Sequence, residues 1–133
     1  MIITKETDYA IRIIRALATT NRLNVKQICE MENLPIHFSY NIIKKLEKAN
    51  FVKIIRGTKG GIELIIDIKH TSLLHLLEAM DENYYLCACM NNNYVCQNKI
   101  NKNNVCQAHT KLLSIQNDLN NAFASTMLEE LVA

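Results

Sequence analysis

The chain holds 133 residues, 49% of them apolar and 21% charged, which is enough to enclose one core but not several. With 6% aromatic residues, no Trp, three Gly and one Pro, it lacks the turn residues that an all-β sandwich consumes, so a mainly α fold is expected. No apolar run reaches the roughly 18 residues of a membrane span, and Lys5, Glu6 and Asp8 interrupt the place where an export signal would put its apolar stretch. A cytoplasmic chain with no membrane partner is the expectation.

From Tyr9 the residues Tyr9, Ala10, Ile13, Ile14, Leu17 and Ala18 recur at helical spacing, which predicts a first helix over about 5–20. A second short helix fits Val25 to Met31, with Val25, Ile28 and Cys29 on one face and Cys29 as ordinary core. The single proline, Pro35, stands where a third helix over about 35–49 begins, and Ile36, Ile42, Ile43 and Leu46 form its stripe. Two β-branched runs, Phe51 to Arg56 and Ile62 to Ile66, flank Gly57-Thr-Lys-Gly-Gly61 and read as a hairpin whose tip holds every glycine of the chain.

Three short helices followed by a basic-tipped hairpin make the layout of a winged helix-turn-helix, with the third helix in the DNA major groove and the wing on the backbone. His37, Ser39, Tyr40, Asn41, Lys44, Lys45 and Lys48 lie off the Ile and Leu stripe of helix three, and Arg56, Lys59 and Gly60 mark the wing. Charge runs the same way: residues 1–61 carry 11 Lys or Arg against five Asp or Glu, whereas residues 62–133 carry four against eight. A basic half of that kind points to double-stranded DNA as the partner.

Beyond the wing, Thr71 and Ser72 can cap a connector helix containing Leu73, Leu74, Leu76, Leu77 and Met80. Residues 91–104 hold seven Asn in 14 positions and read as a loop. From about Ala108 to Ala133, the residues Leu112, Leu113, Ile115, Leu119, Ala122, Phe123 and Met127 form a wide stripe, the mark of a long helix that pairs with its copy in a homodimer. Four of the five Cys and one His gather in 23 residues as Cys87, Cys89, Cys96, Cys106 and His109. Without an export signal, an odd number of thiols clustered in a polar loop reads as soft-metal or redox chemistry rather than a disulfide framework. An iron–sulfur cluster and a four-ligand zinc site both remain open on residue types alone. The chain holds no Gly-rich phosphate loop, metalloprotease motif or nucleophile–base pair, so no enzyme is expected.

These residues resemble the Rrf-two (Rrf2) family of bacterial winged-helix regulators, of the NsrR and IscR types. The marks are Thr7-Asp-Tyr-Ala-Ile-Arg12, Ile42-Ile-Lys-Lys-Leu46, the run Asn50-Phe-Val-Lys-Ile-Ile-Arg-Gly-Thr-Lys-Gly-Gly61, Leu76-Leu-Glu-Ala-Met80, the cysteine cluster, and Thr126-Met-Leu-Glu-Glu-Leu-Val132. The resemblance implies a homodimer on a palindromic promoter operator, acting as a repressor, with DNA affinity set by an iron–sulfur cluster that senses nitric oxide, redox state or cluster supply. It implies Cys89, Cys96 and Cys106 as ligands, with Cys87 an alternative to Cys89. The fourth ligand would be Asp8 from the partner subunit, as in NsrR-type members, or His109, as in IscR-type members. Asp8 and a 4Fe–4S cluster are read first, His109 and 2Fe–2S second. The gaps between these cysteines are longer than the family's usual spacing. The rival readings are a cluster-free regulator controlled by a protein partner or small metabolite, a zinc-stabilised DNA-binding protein, and a small electron carrier. The expected organisation is a winged helix-turn-helix over 1–68, a connector helix and cysteine-rich cluster-binding loop over 69–108, and a dimerisation helix and C-terminal segment over 109–133.

Overall fold

A computed structural model describes residues 2–81, 83–97 and 106–132. Helix α1 spans Lys5–Thr19, with Thr4 at its N-cap, and turns Ala10, Ile13, Ile14 and Leu17 inward. Helix α2 spans Val25–Glu32. Its start is fixed by a capping box in which the Asn24 side chain accepts the Gln27 N–H at 2.8 Å and the Gln27 side chain accepts the Asn24 N–H at 2.9 Å. Asn33, at φ 56°, ends it in the left-handed conformation that Asn tolerates. Pro35 then precedes α3, Ile36–Lys48, which buries Ile42, Ile43 and Leu46. The three expected helices are present, each within two residues of its expected ends.

Strands β1 (Val52–Ile55) and β2 (Gly61–Leu64) pair antiparallel, with Val52 opposite Leu64 and Ile55 opposite Gly61. Leu23, in the α1–α2 link, adds one bridge to β2: its N–H donates to the Ile62 carbonyl at 3.2 Å and its carbonyl accepts the Ile62 N–H at 2.7 Å. The hairpin is thereby anchored to the helices and does not hang from α3 alone. Phe51, fully buried, seals the junction and meets the His75 ring edge-on at 4.9 Å.

Helix α4, Leu73–Ala79, is capped by Ser72 and buries Leu76 and Leu77. A 3₁₀ turn at Ala88–Met90 follows, then helix α5, Gln107–Ser125, and helix α6, Leu128–Val132. Both α4 and the 3₁₀ turn pack on α5, and α6 packs on α1.

The continuous terminal helix expected from the apolar stripe is broken at Thr126 and Met127. There the backbone leaves the helix to pair with the segment after the wing: the Leu73 N–H donates to the Thr126 carbonyl at 2.8 Å, the Leu128 N–H to the Thr71 carbonyl at 2.9 Å, and the Glu129 N–H to the Ile68 carbonyl at 3.0 Å. A continuous helix would forfeit those three bonds and the seat of Leu128, which is fully buried in the same core as Ile13, Ile28, Ile43 and Phe51. One core thus draws on both ends of the chain.

Candidate functional site

On the outer side of α3, His37, Tyr40, Asn41, Lys44 and Lys48 are exposed, together with Ile36 and Phe38. Ser39 is not among them. It is fully buried and its hydroxyl donates to the Pro35 carbonyl at 2.8 Å, so it closes the first turn of the helix from inside, and its expected place on the exposed face is corrected. Lys45 is half-buried, its Nζ 2.9 Å from the Glu6 carboxylate on α1. Among the described residues, Lys44, Lys48, Arg56 and Lys59 have no carboxylate within ion-pair distance.

The wing tip is built by its glycines. Gly57 takes φ 108°, which a side chain would resist, and a Cβ on Gly60 would fall 2.0 Å from the Ile55 carbonyl oxygen. Gly61 leaves room for Arg22, whose Cγ would otherwise meet a Cβ at 2.7 Å. Arg22 uses that room to clamp the hairpin: Nη1 donates to the Lys59 carbonyl at 2.5 Å, while Nε and Nη2 donate to Glu63 at 3.0 and 2.8 Å. The Arg22 hydrogen bonds, and then that of Lys53 at 3.2 Å, hold the Glu63 carboxyl below its ordinary value. Sequence reasoning passed over Arg22, because its partners lie about 40 positions away and no local pattern marks it.

In the segment that follows α4, the sulfurs of Cys87 and Cys89 stand 3.4 Å apart. The turn that presents them is closed by the Met90 N–H donating to the Cys87 carbonyl at 3.1 Å, with Met90 buried beneath it. Cys106 is the N-cap of α5, its sulfur accepting the His109 backbone N–H at 3.4 Å. The hydrogen bond that the Cys89 thiol shares with Cys87 pushes it up, burial adds to this, and the charges of Cys87 and Cys106 act in the same direction.

Gln116, also missed, holds the approach to this turn. It is 2% exposed on α5. Its Oε1 accepts the Leu86 N–H at 2.6 Å, and its Nε2 donates to the Tyr84 carbonyl and to Asn120 Oδ1, both at 2.9 Å. Cys96 and His109 are half-buried, and Cys29 is buried core, as expected. Asp8 lies on α1 in an ion pair with Arg12 at 3.2 Å, and the structure does not bring it to the cysteines of its own chain. Among the described residues of one chain, no three His, Cys, Asp or Glu side chains stand in a metal-binding arrangement. Residues 98–105, which include half of the Asn-rich loop, lie outside the described residues.

A family model described as "Rrf2: Iron-dependent Transcriptional regulator" matches residues 3–133. The chain belongs to the Rrf2 family of transcriptional regulators. Among relatives, this Rrf2 chain is 29% identical over 92 residues to the HTH-type transcriptional regulator NsrR of Bacillus licheniformis, covering 67% of this chain and 64% of that one. A second relative, the protein aau3 of Rhizobium meliloti, is 23% identical over 91 residues. The chain spans about three fifths of the length of these curated relatives, 64% and 59%. The Rrf2 fold is shared with the solved structure of CymR, the global cysteine regulator of B. subtilis, at TM-score 0.77 and 20% identity, covering 99% of this chain and 96% of that one. It is shared also with IscR of T. potens, at TM-score 0.71 and 16% identity, covering 99% and 86%. No described helix is long and apolar enough to cross a membrane.

Proposed function

We propose that this Rrf2 protein is a homodimeric repressor that binds a palindromic promoter operator, with an iron–sulfur cluster setting its DNA affinity. The observation that supports the cluster reading is the donor set itself: partly exposed Cys87 and Cys89 with their sulfurs 3.4 Å apart, and Cys106 at the N-cap of α5. Partly exposed thiols from two segments, with soft-metal donor chemistry, fit such a group. Cys89, Cys96 and Cys106 would hold it, and Asp8 of the partner subunit or His109 would complete the set. When bound, the cluster would supply a centre that reacts with nitric oxide or oxygen.

For DNA, the α3 face of His37, Tyr40, Asn41, Lys44 and Lys48 would enter the major groove. Arg56, Lys59 and the close backbone approach at Gly60 would meet the phosphates, and Lys45 would join them by exchanging Glu6 for phosphate. Arg22 would fix the wing at the angle this needs. A carboxylate from α1 of one subunit, reaching the cysteines of the other, would tie the ligand set to the angle between the two reading heads.

The test is the visible spectrum, with iron and sulfide counted per subunit, of protein purified without oxygen. Fluorescence anisotropy on promoter DNA before and after exposure to nitric oxide accompanies it. A brown protein with about four irons per subunit and a DNA affinity that falls with nitric oxide is expected, and loss of the spectrum in Asp8→Ala would place Asp8 in the set. Two irons per subunit would move the fourth ligand to His109. A chain that stays colourless after reconstitution would overturn the cluster reading and leave a cluster-free or zinc-stabilised regulator.

A further inference from the structure

Cys87 has no part in the ligand set above, yet its sulfur is 3.4 Å from that of Cys89. We infer that Cys87 and Cys89 form a peroxide-sensitive dithiol that closes to an intramolecular disulfide. Three features set this pair apart from the core thiol Cys29, which is 5% exposed. Both sulfurs are partly open to solvent, so an oxidant can reach them. They are already in contact. The backbone of the turn is pinned on both sides, by the Met90 to Cys87 hydrogen bond with buried Met90 and by the Gln116 grip on Tyr84 and Leu86, which keeps the two residues within bonding reach.

The chemistry balances with hydrogen peroxide as the only co-reactant. One sulfur attacks a peroxide oxygen, the O–O bond breaks, water leaves, and that cysteine becomes a sulfenic acid. The second sulfur attacks the first, the S–O bond breaks, the S–S bond forms, and the hydroxyl departs as a second water with the remaining thiol proton. Two electrons pass from the sulfur pair to the peroxide. A disulfide between residues two apart closes a small strained ring, and strained, exposed disulfides are the readily reduced ones, so cellular thiols would reopen it. The oxidation itself needs no metal. Its regulatory consequence, withdrawal of Cys89 from the donor set until the bond is reduced, rests on the cluster reading.

The experiment treats the reduced full-length chain with equimolar hydrogen peroxide, traps remaining thiols by alkylation, and maps peptides by mass spectrometry. The peptide carrying Cys87 and Cys89 is expected about 2 Da lighter and unalkylated, and dithiothreitol is expected to reverse this fully. In Cys87→Ser given an excess of peroxide over two equivalents, Cys89 is expected to gain about 32 Da as a sulfinic acid that dithiothreitol does not remove, while Cys96→Ser with one equivalent still forms the bond. Full alkylation of both Cys87 and Cys89 after the peroxide is consumed, or a bond from Cys89 to Cys96 or Cys106, would overturn the inference. Iron uptake measured on the same reduced sample reports separately on the cluster reading, since the disulfide forms in the metal-free chain as well.

Discussion

Replacing Gln116 with Leu tests whether the cysteine turn is held by α5. The Gln116 amide is 2% exposed and makes three hydrogen bonds, which also fix its orientation, because Leu86 N–H requires an acceptor and the Tyr84 carbonyl a donor. Leu fills a similar volume and leaves that N–H and carbonyl without partners, at about 1–3 kcal/mol each if they stayed dry. Tyr84 is half-buried and Leu86 exposed, so the segment re-solvates by lifting away rather than enduring the full cost, and the added apolar burial offsets part of the remainder. The net is about 2 kcal/mol placed on a local opening rather than on global unfolding, or roughly a 30-fold rise in the opening constant. Native-state hydrogen exchange at the Leu86 amide, and the rate of Cys87 and Cys89 labelling by a thiol reagent, should both rise ten- to thirty-fold while the thermal midpoint shifts little. Gln116→Glu should fall between, since a carboxylate still accepts from Leu86 but donates to neither Tyr84 nor Asn120. Unchanged exchange and labelling in Gln116→Leu would refute the latch.

Leu128→Ala should remove about 3 kcal/mol, because the side chain is fully buried, and lower the thermal midpoint by about 10 °C; a shift of a degree or two would show that α6 does not seal the core. Glu6→Gln frees Lys45 from its carboxylate and should tighten duplex DNA binding about two- to fivefold at low salt, whereas no change would place Lys45 off the interface. Lys44→Ala should weaken binding and flatten the log–log salt dependence by about 0.9; an unaltered slope would remove that phosphate contact. Because Glu63 titrates below its ordinary value in the fold, its hold on Arg22 is fully present above the unfolded carboxyl range and is lost as pH falls through the depressed value. Amide resonances of Gly60 and Gly61 should therefore shift in that acid window, and Glu63→Gln should abolish the shift; a persistent shift in the variant would assign it to another group.

The reading head was legible because its boundaries are written locally. Asn24 with Gln27 starts α2, Pro35 precedes α3, Ser72 caps α4, and the three glycines can serve only one turn. The errors arise where a distant partner decides. Ser39 is a local exception: its spacing of three, four and seven residues from Ile42, Ile43 and Leu46 places it on the inner face, polarity alone argues for the outer one, and its hydroxyl needs no water because it has a carbonyl four residues back. The stripe after Ala108 carries no sign that Thr126 and Met127 will be drawn out of the helix, since what draws them out is the backbone of Thr71 to Leu73. Gln116 did leave a trace: Leu112, Gln116, Leu119 and Phe123 share one helical face, and a lone amide there signals a buried polar task. Leu113 and Ile115, on other faces, remain 38% and 50% exposed in the single chain.

The geometry also dictates how an event at the cysteines would reach the DNA-reading head. Helix α5 has 19 residues, about 28 Å of rigid backbone, with Cys106 at one end and the Thr126 pairing at the other. Its middle is tied to the Tyr84–Leu86 segment by Gln116, the 3₁₀ turn packs on it, and its far end is tied by hydrogen bonds that lead directly into α6 against α1. A helix held at its middle and far end and packed along α4 resists absorbing a change in the cysteine turn by local bending. Such a change must instead be shared with the Thr71–Leu73 joint and with α1, the helix that carries Asp8 and holds Lys45 through Glu6. Breaking the Gln116 latch should therefore uncouple thiol chemistry from DNA affinity without lowering that affinity itself. A substitution that merely destabilised the fold would lower it under all conditions.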